Sequence, residues 1–226
     1  IYITYRILDF PDLTVDGSFP LGAAVTAVLL VHGVNAYLTM LAALAVGALA
    51  GWITGMIHVR LHVRDLLAGI ITMTALLSIN LQIAGSNLAI GREIDTIYSA
   101  APINAPLLHR KLIVSLVVAL VCKLILDLYF RTKSGLLLRA AGDNPVLVTS
   151  LAKDKGRVKI LGLMIANALV ALAGCLVCQE QRAFSSTMGT GQMVFGLAAV
   201  IIGTTIFRRA SFVKGTTAVA VGSILY

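Results

Sequence analysis

Apolar and polar positions alternate along this chain in long blocks rather than residue by residue. Ile1–Leu8 reads as the end of one apolar helix and Leu21–Val34 as a short apolar run. Ala36–Ile57 and Leu66–Ala84 are full-length runs. After a long polar loop come Leu112–Phe130, Ile160–Cys178, a shorter Met193–Phe207 and a last run opening at Gly215. A membrane-crossing helix needs roughly 20 consecutive apolar residues, which the longer runs supply. The pattern predicts an all-α polytopic transmembrane bundle forming one domain over residues 1–226, with short or broken helices around a central pathway. Ile1 and Tyr226 both fall inside apolar runs, so the first helix and the C-terminus are expected to be incomplete.

Composition agrees. Hydrophobic residues make up 58% of the chain and charged residues 12%, about half the charged share of a soluble domain, and the mean hydropathy is +0.94. No length remains for a large soluble catalytic domain. The net charge of +8 does not point to nucleic acid, because the cations sit at the ends of apolar runs, as membrane proteins place them on the cytoplasmic side. The segment 131–159 carries Arg131, Lys133, Arg139, Lys153, Lys155, Arg157 and Lys159 against Asp143 and Asp154, and so reads as a cytoplasmic loop. Alternation then places 56–65 and 208–214 inside, and 85–111 and 179–192 outside. One cluster, His109, Arg110 and Lys111, falls on the outer side against the rule.

Small residues mark close approach. Gly47, Gly51 and Gly55 recur every fourth position and share one helical face, which suits either intrachain packing or an interface with a second copy. Cys122, Cys175 and Cys178 all lie in apolar runs; the C-x-x-C spacing of the last two lacks a cationic setting, so free packing thiols are expected. "GSFPLGAAVTAV" (17–28) and "GQMVFGLAAVII" (191–202) each set a polar, glycine-containing turn before a short apolar run. Matching short segments in two halves of a chain point to discontinuous helices around a transport pathway.

The candidate chemistry lies where polar residues interrupt this pattern. In "LDFPDLTVDGSFPLGAA" three acids, Asp9, Asp12 and Asp16, accompany Pro11, Gly17 and Pro20. Pro and Gly break helices, so this stretch is expected to be a broken helix lining the pathway, with Asp12, Thr14, Asp16, Gly17 and Ser18 at the break. The alternative is an acidic loop capping the next helix. Asn80 and Asn167, inside apolar runs, either line the pathway or tie helices together. Gln179, Gln181, Gly189 and Gly191 belong to an outer polar segment that suits a gate or the dock of an external partner. Lys123 and Asp127, four apart on one helix, are a structural pair or the coupling groups of an ion-driven transporter. No P-loop occurs, and the four histidines form no H-E-x-x-H. His58 and His62 flank Arg60 at a membrane edge and read as interfacial, not as metal ligands. The chain is therefore expected to be no enzyme and to bind no metal or cofactor.

In "AAGDNPVLVTSLAKDKG", Asn144 is placed to cap a short helix, Pro145 fits its first position and Gly156 its end. Together "DLTVDGSFPLGAA", "LLAGIITMTALLSINL", "LRAAGDNP" and "FGLAAVIIG" resemble the permeases of bacterial ABC importers, in the family that includes branched-chain amino acid and ribose permeases. The likeness is nearest to the branch paired with lipoprotein receptors for aromatic amino acids. It implies an inner-membrane permease that passes a small solute inward by alternating access and works as a pair of copies, a homodimer. Two ATP-binding subunits that hold ATP and Mg, and an external solute-binding lipoprotein, are the implied partners beside the lipid bilayer. It implies further that Arg139, Gly142, Asp143, Asn144, Pro145, Leu147 and Leu151 form the loop, with a coupling helix, that contacts an ATP-binding subunit.

Overall fold

A computed structural model describes residues 1–8, 10, 12–100, 107–143, 155–207 and 215–225. Tyr2–Ile7 is wound as a π-helix. The α-helices follow as α1 (Val15–Val31), α2 (Ala36–Arg60), α3 (Asp65–Ala84), α4 (Ile97–Ala100), α5 (Leu107–Tyr129), α6 (Lys133–Asp143), α7 (Lys155–Gln181), α8 (Gln192–Ile206) and α9 (Gly215–Leu225). Two three-residue strands, β1 (Asn87–Ala89) and β2 (Ala183–Ser185), pair antiparallel, with Leu88 opposite Phe184. Among the described residues, α2, α3, α5 and α7 are long and apolar enough to cross a membrane, and α1, α8 and α9 are shorter apolar helices.

α7 is the most enclosed of the four long helices, because small residues on its neighbours admit it. A Cβ at Gly51 would strike the Leu163 carbonyl, one at Gly47 would meet Ala171 and the Asn167 carbonyl, and one at Gly55 would lie 3.0 Å from the Ile160 Cα. The four-residue glycine spacing of α2 is thus spent on packing within the chain. On the α1 side, Gly22 abuts the Ala171 backbone and Gly174 of α7 abuts the Phe19 backbone. Such contacts let backbones approach where lipid removes most of the hydrophobic drive for association. α5 is the contrary case: Leu112, Leu116, Leu120, Leu124 and Leu128 are all exposed along it.

The turns sort to two ends. At one, β1 pairs with β2, Lys111 bridges to Glu180 at 3.0 Å, and Arg182 donates to the carbonyls of Gly91 (2.8 Å) and Ile94 (3.0 Å). Segments 85–111 and 179–186 therefore share an end, as alternation requires. At the other, His58 lies 3.1 Å from Asp65 and 3.2 Å from the Lys159 ammonium, which places the α2–α3 turn beside the start of α7. Two of the cations at the first of these ends have partners: Lys111 is paired, and the Arg110 guanidinium donates to the Ser99 carbonyl at 3.3 Å.

Two expectations change. The helix does not break at Gly17 or Pro20; α1 runs through both, and Pro20 sits inside it. The interruption lies earlier, between Leu8 and Thr14. Segment 131–159 is not all loop either. Its first part is α6, whose buried Leu138 packs with Ile7, Leu8, Phe130 and Leu163.

Candidate functional site

Two polar residues of "PDLTVDGSFP", Asp12 and Ser18, converge on the middle of α7. Asp12 is 1% exposed. Its Oδ1 accepts the N–H of Thr14 at 3.0 Å, the turn that launches α1, and its Oδ2 accepts from Asn167 Nδ2 at 2.8 Å. Asn167 Oδ1 in turn accepts from Ser18 Oγ at 2.7 Å. Thr14 Oγ1 and Thr54 Oγ1 share a hydrogen bond of 3.0 Å that reaches α2. Asn167 is the thirteenth of the 27 residues of α7, roughly 18 Å along a helix of roughly 40 Å. The first turn of α1 therefore starts near mid-membrane depth. Irregular backbone at that depth persists only where protein or a water-filled cavity satisfies it; here the Asp12 carboxylate accepts the Thr14 N–H, and the Asn167 amide holds that carboxylate in place.

Asp16, one turn on, faces a different helix. Its Oδ1 accepts the N–H of Met193 at 2.8 Å and its Oδ2 that of Gly191 at 3.1 Å, so it caps the N-terminus of α8. The two segments with similar sequence, 17–28 and 191–202, thus start side by side. From there α1 runs to the end where Ala27 and Leu30 cluster with Ile90, Ile97, Tyr98 and Phe184. α8 runs the other way, pairing with α9 at Gly203 and Ala218; the start of α9 is held where Thr216 donates to Asp127 at 2.7 Å. Asn80 is fully buried on α3 and donates to the Gly17 carbonyl at 3.2 Å, while its Oδ1 meets no partner among the described residues.

The outer candidates divide. Gln179 is 1% exposed, and its amide is spent inside the chain. Nε2 donates to Thr39 Oγ1 (3.1 Å) and the Ala36 carbonyl (3.4 Å), and Oε1 accepts the Ile97 N–H at 2.9 Å. It ties α2, α4 and α7 together at the floor of a polar cavity. Gln181 is exposed, on the rim of that cavity of about 680 Å³, which Arg92, Thr96, Tyr98, Lys111, Glu180 and Arg182 also line. Burial, with the neighbouring Glu180 carboxylate, pushes the Tyr98 phenol up to about 12. Gly189 lies against the Asp16 carbonyl and the Pro20 ring, and Gly191 adopts φ +82 at the start of α8. Lys123 lines a cavity of about 350 Å³ between α5, α7 and α9, with Tyr2, Cys122 and Thr216.

In the segment read as the coupling loop, Arg139 is exposed on α6, with its guanidinium 4.8 Å from the Phe130 ring centroid. Gly142 and Asp143 end that helix. Asn144, Pro145, Leu147 and Leu151 lie outside the described residues. Among the described residues, no three His, Cys, Asp or Glu gather to hold a metal ion, and the three cysteines are free thiols. The roles of Gln179 and Thr54 escape sequence reading, since a Gln at a helix end and a Thr in an apolar run carry no mark of the partner each will meet.

Comparison with known proteins agrees with this architecture. The family model for the branched-chain amino acid transport system permease component matches residues 1–226. A tyrosine transport system permease protein of Clostridioides difficile is 39% identical over all of this chain and 74% of its own length. An uncharacterized protein of Rickettsia prowazekii is 35% identical over 92% of this chain and 71% of its own. The ribose import permease protein RbsC of Escherichia coli K12 is 27% identical over 86% and 60%, respectively. No solved structure matches at a significant level. The chain is a multi-pass membrane permease subunit of a bacterial ABC importer, with no catalytic role of its own, and its family implies ATP-binding and solute-binding partners. Its full-length match and its mid-membrane helix starts place it in one group: the chain belongs to the family of branched-chain amino acid transport system permease components.

Proposed function

We propose that this permease carries an amino acid inward, as one of two identical copies, along a path that passes the mid-membrane starts of α1 and α8. The observation that carries the path is the buried polar set at that depth. Asp12, Thr14, Ser18 and Asn167 are hydrogen-bonded to one another or to nearby backbone within otherwise apolar surroundings. Polar groups inside a membrane are costly and mark solute pathways. Asn80 and Gly17 belong to the same region through their shared hydrogen bond. The solute class rests on the 39% identity to a protein named for tyrosine transport.

Two ATP-binding subunits, holding ATP and Mg, dock on the segment 131–159 and bias the permease between inward- and outward-open states through different contacts in each. An external binding lipoprotein delivers the solute to the outer face, where the exposed Gln181 stands on the rim of the polar cavity; Gly189 and Gly191 lie deeper, at the start of α8. The test is uptake by proteoliposomes holding the full-length permease, its ATP-binding subunit and its receptor. Labelled tyrosine should accumulate only with internal ATP at the nucleotide-binding side, and labelled ribose should not. Accumulation that survives omission of the ATP-binding subunit and collapses with the proton gradient would sink the reading. Ribose uptake in place of tyrosine would overturn the solute class alone.

A further inference from the structure

We infer that Asp16 fastens α8 to α1, so that the two short helices move through the transport cycle as one body. The inference rests on the proposed pathway at their mid-membrane starts. α8 cannot cap itself: the residue before it is Gly191, with φ +82 and no side chain. The first-turn N–H groups of a helix have no intrahelical acceptor, and at membrane depth an unmet N–H is costly. Asp16 meets two of them, at 2.8 and 3.1 Å, from 177 and 175 residues earlier in the chain. One carboxylate thereby lies at two helix N-termini, α8's directly and α1's as a first-turn acid, where both dipoles favour a negative charge.

The backbone of Asp16 supplies a second grip. Pro20 has no N–H to return to the carbonyl four residues back, which is that of Asp16. The slot so opened is filled by Gly189, whose Cβ position is closed by the Asp16 carbonyl and by Pro20 Cδ at 2.5 Å. Asp16 thus bonds Gly191 and Met193 through its side chain, while Gly189 packs against its carbonyl. α1 itself is anchored by Ser18 to α7 and by Gly17 to α3, so the fastened pair has a fixed base. Asp16 is a positioning residue in this account, and its job differs from that of an ordinary cap, which would serve α8 alone.

Two variants loosen the junction by different chemistry in the full-length complex. Asp16→Ala removes the carboxylate, and Gly189→Ala keeps it but wedges a Cβ against the Asp16 carbonyl. The expected result is a maximal uptake rate reduced at least tenfold in both, with the half-saturating receptor concentration unchanged. Amide exchange at Gly191 and Met193, read by mass spectrometry, should accelerate tenfold or more in Asp16→Ala only. Uptake within twofold of wild type in Gly189→Ala would reduce Asp16 to a cap for α8 and overturn the inference, as would uptake within twofold in Asp16→Ala. If Asp16→Ala fails to assemble, Asp16→Asn, with one acceptor oxygen left, takes its place under the same reading. The pathway reading fails separately: the thiols of Thr14→Cys and Ser18→Cys would then resist membrane-impermeant reagents in every nucleotide state, whatever Asp16 does.

Discussion

Asn167 shows how much one side chain settles in this protein. Its Nδ2 donates to the Asp12 carboxylate and to the Leu163 carbonyl (3.1 Å), and its Oδ1 accepts from Ser18. Asn167→Leu would keep the volume but leave Asp12 Oδ2 without its donor, a loss of about 1–3 kcal/mol for a buried polar group and more for a charged one. Asn167→Asp would set a second carboxylate against Asp12 and is expected to cost more. Thermal unfolding of the purified permease in detergent checks the order: wild type should melt highest and Asn167→Asp lowest, and equal melting temperatures would contradict the geometry. At this scale the sequence was partly legible. Asp12, Ser18 and Asn167 stand out as polar residues in apolar surroundings, but nothing in their spacing says that residues 149 and 155 positions apart will bond.

Among the elements, the glycine row of α2 was legible as a face and illegible as a pairing. Spacing by four says that a backbone comes close; it does not say whose. The structure answers with α7, and Gly51 is the tightest test, since a Cβ there meets the Leu163 carbonyl and Met164 Cα at 2.8 Å. Overpacking of this kind costs about 1–3 kcal/mol. Gly51→Ala should lower the yield of monodisperse permease on size exclusion and Gly51→Leu should nearly abolish it, whereas Leu49→Ala on the exposed face should change little. A yield for Gly51→Leu equal to that of Leu49→Ala would show that α2 and α7 do not pack here. Pro20 is the complementary lesson. Breaker rules place a helix end at such a residue, yet α1 continues through it, and the carbonyl that Pro20 leaves without its N–H faces Gly189, a residue no local rule brings into view.

For the whole molecule, the block pattern was enough to read an all-α membrane bundle, and the cation count was enough to sort its turns into two groups. The group at the β1–β2 end holds three basic residues that count against the rule; the fold gives two of them partners, Lys111 with Glu180 and Arg110 with the Ser99 carbonyl. The shared start of the short helices α1 and α8 was visible only as a faint likeness between 17–28 and 191–202. Their meeting around Asp16 depends on a contact across most of the chain, which single-sequence reading has no means to see.

The β1–β2 ladder has a consequence for how the protein is made. Its strands join Asn87 to Ser185, so the first waits on the ribosome until the second is synthesised; at about 5–20 residues per second that is roughly 5–20 s. During that interval Asn87–Ala89 is an unpaired edge, and the outer turns it will bind are loose. The clasp can close only after α7 has been inserted, late in translation. Chains arrested shortly after Tyr129 should therefore be cut near Leu88 by a protease added outside the membrane, and chains arrested after Ile206 should be protected there. Equal cutting of the two would mean that the outer turns are held by something earlier than the ladder. Three paired residues are thus expected to fasten this end of the bundle only once α7 has been made.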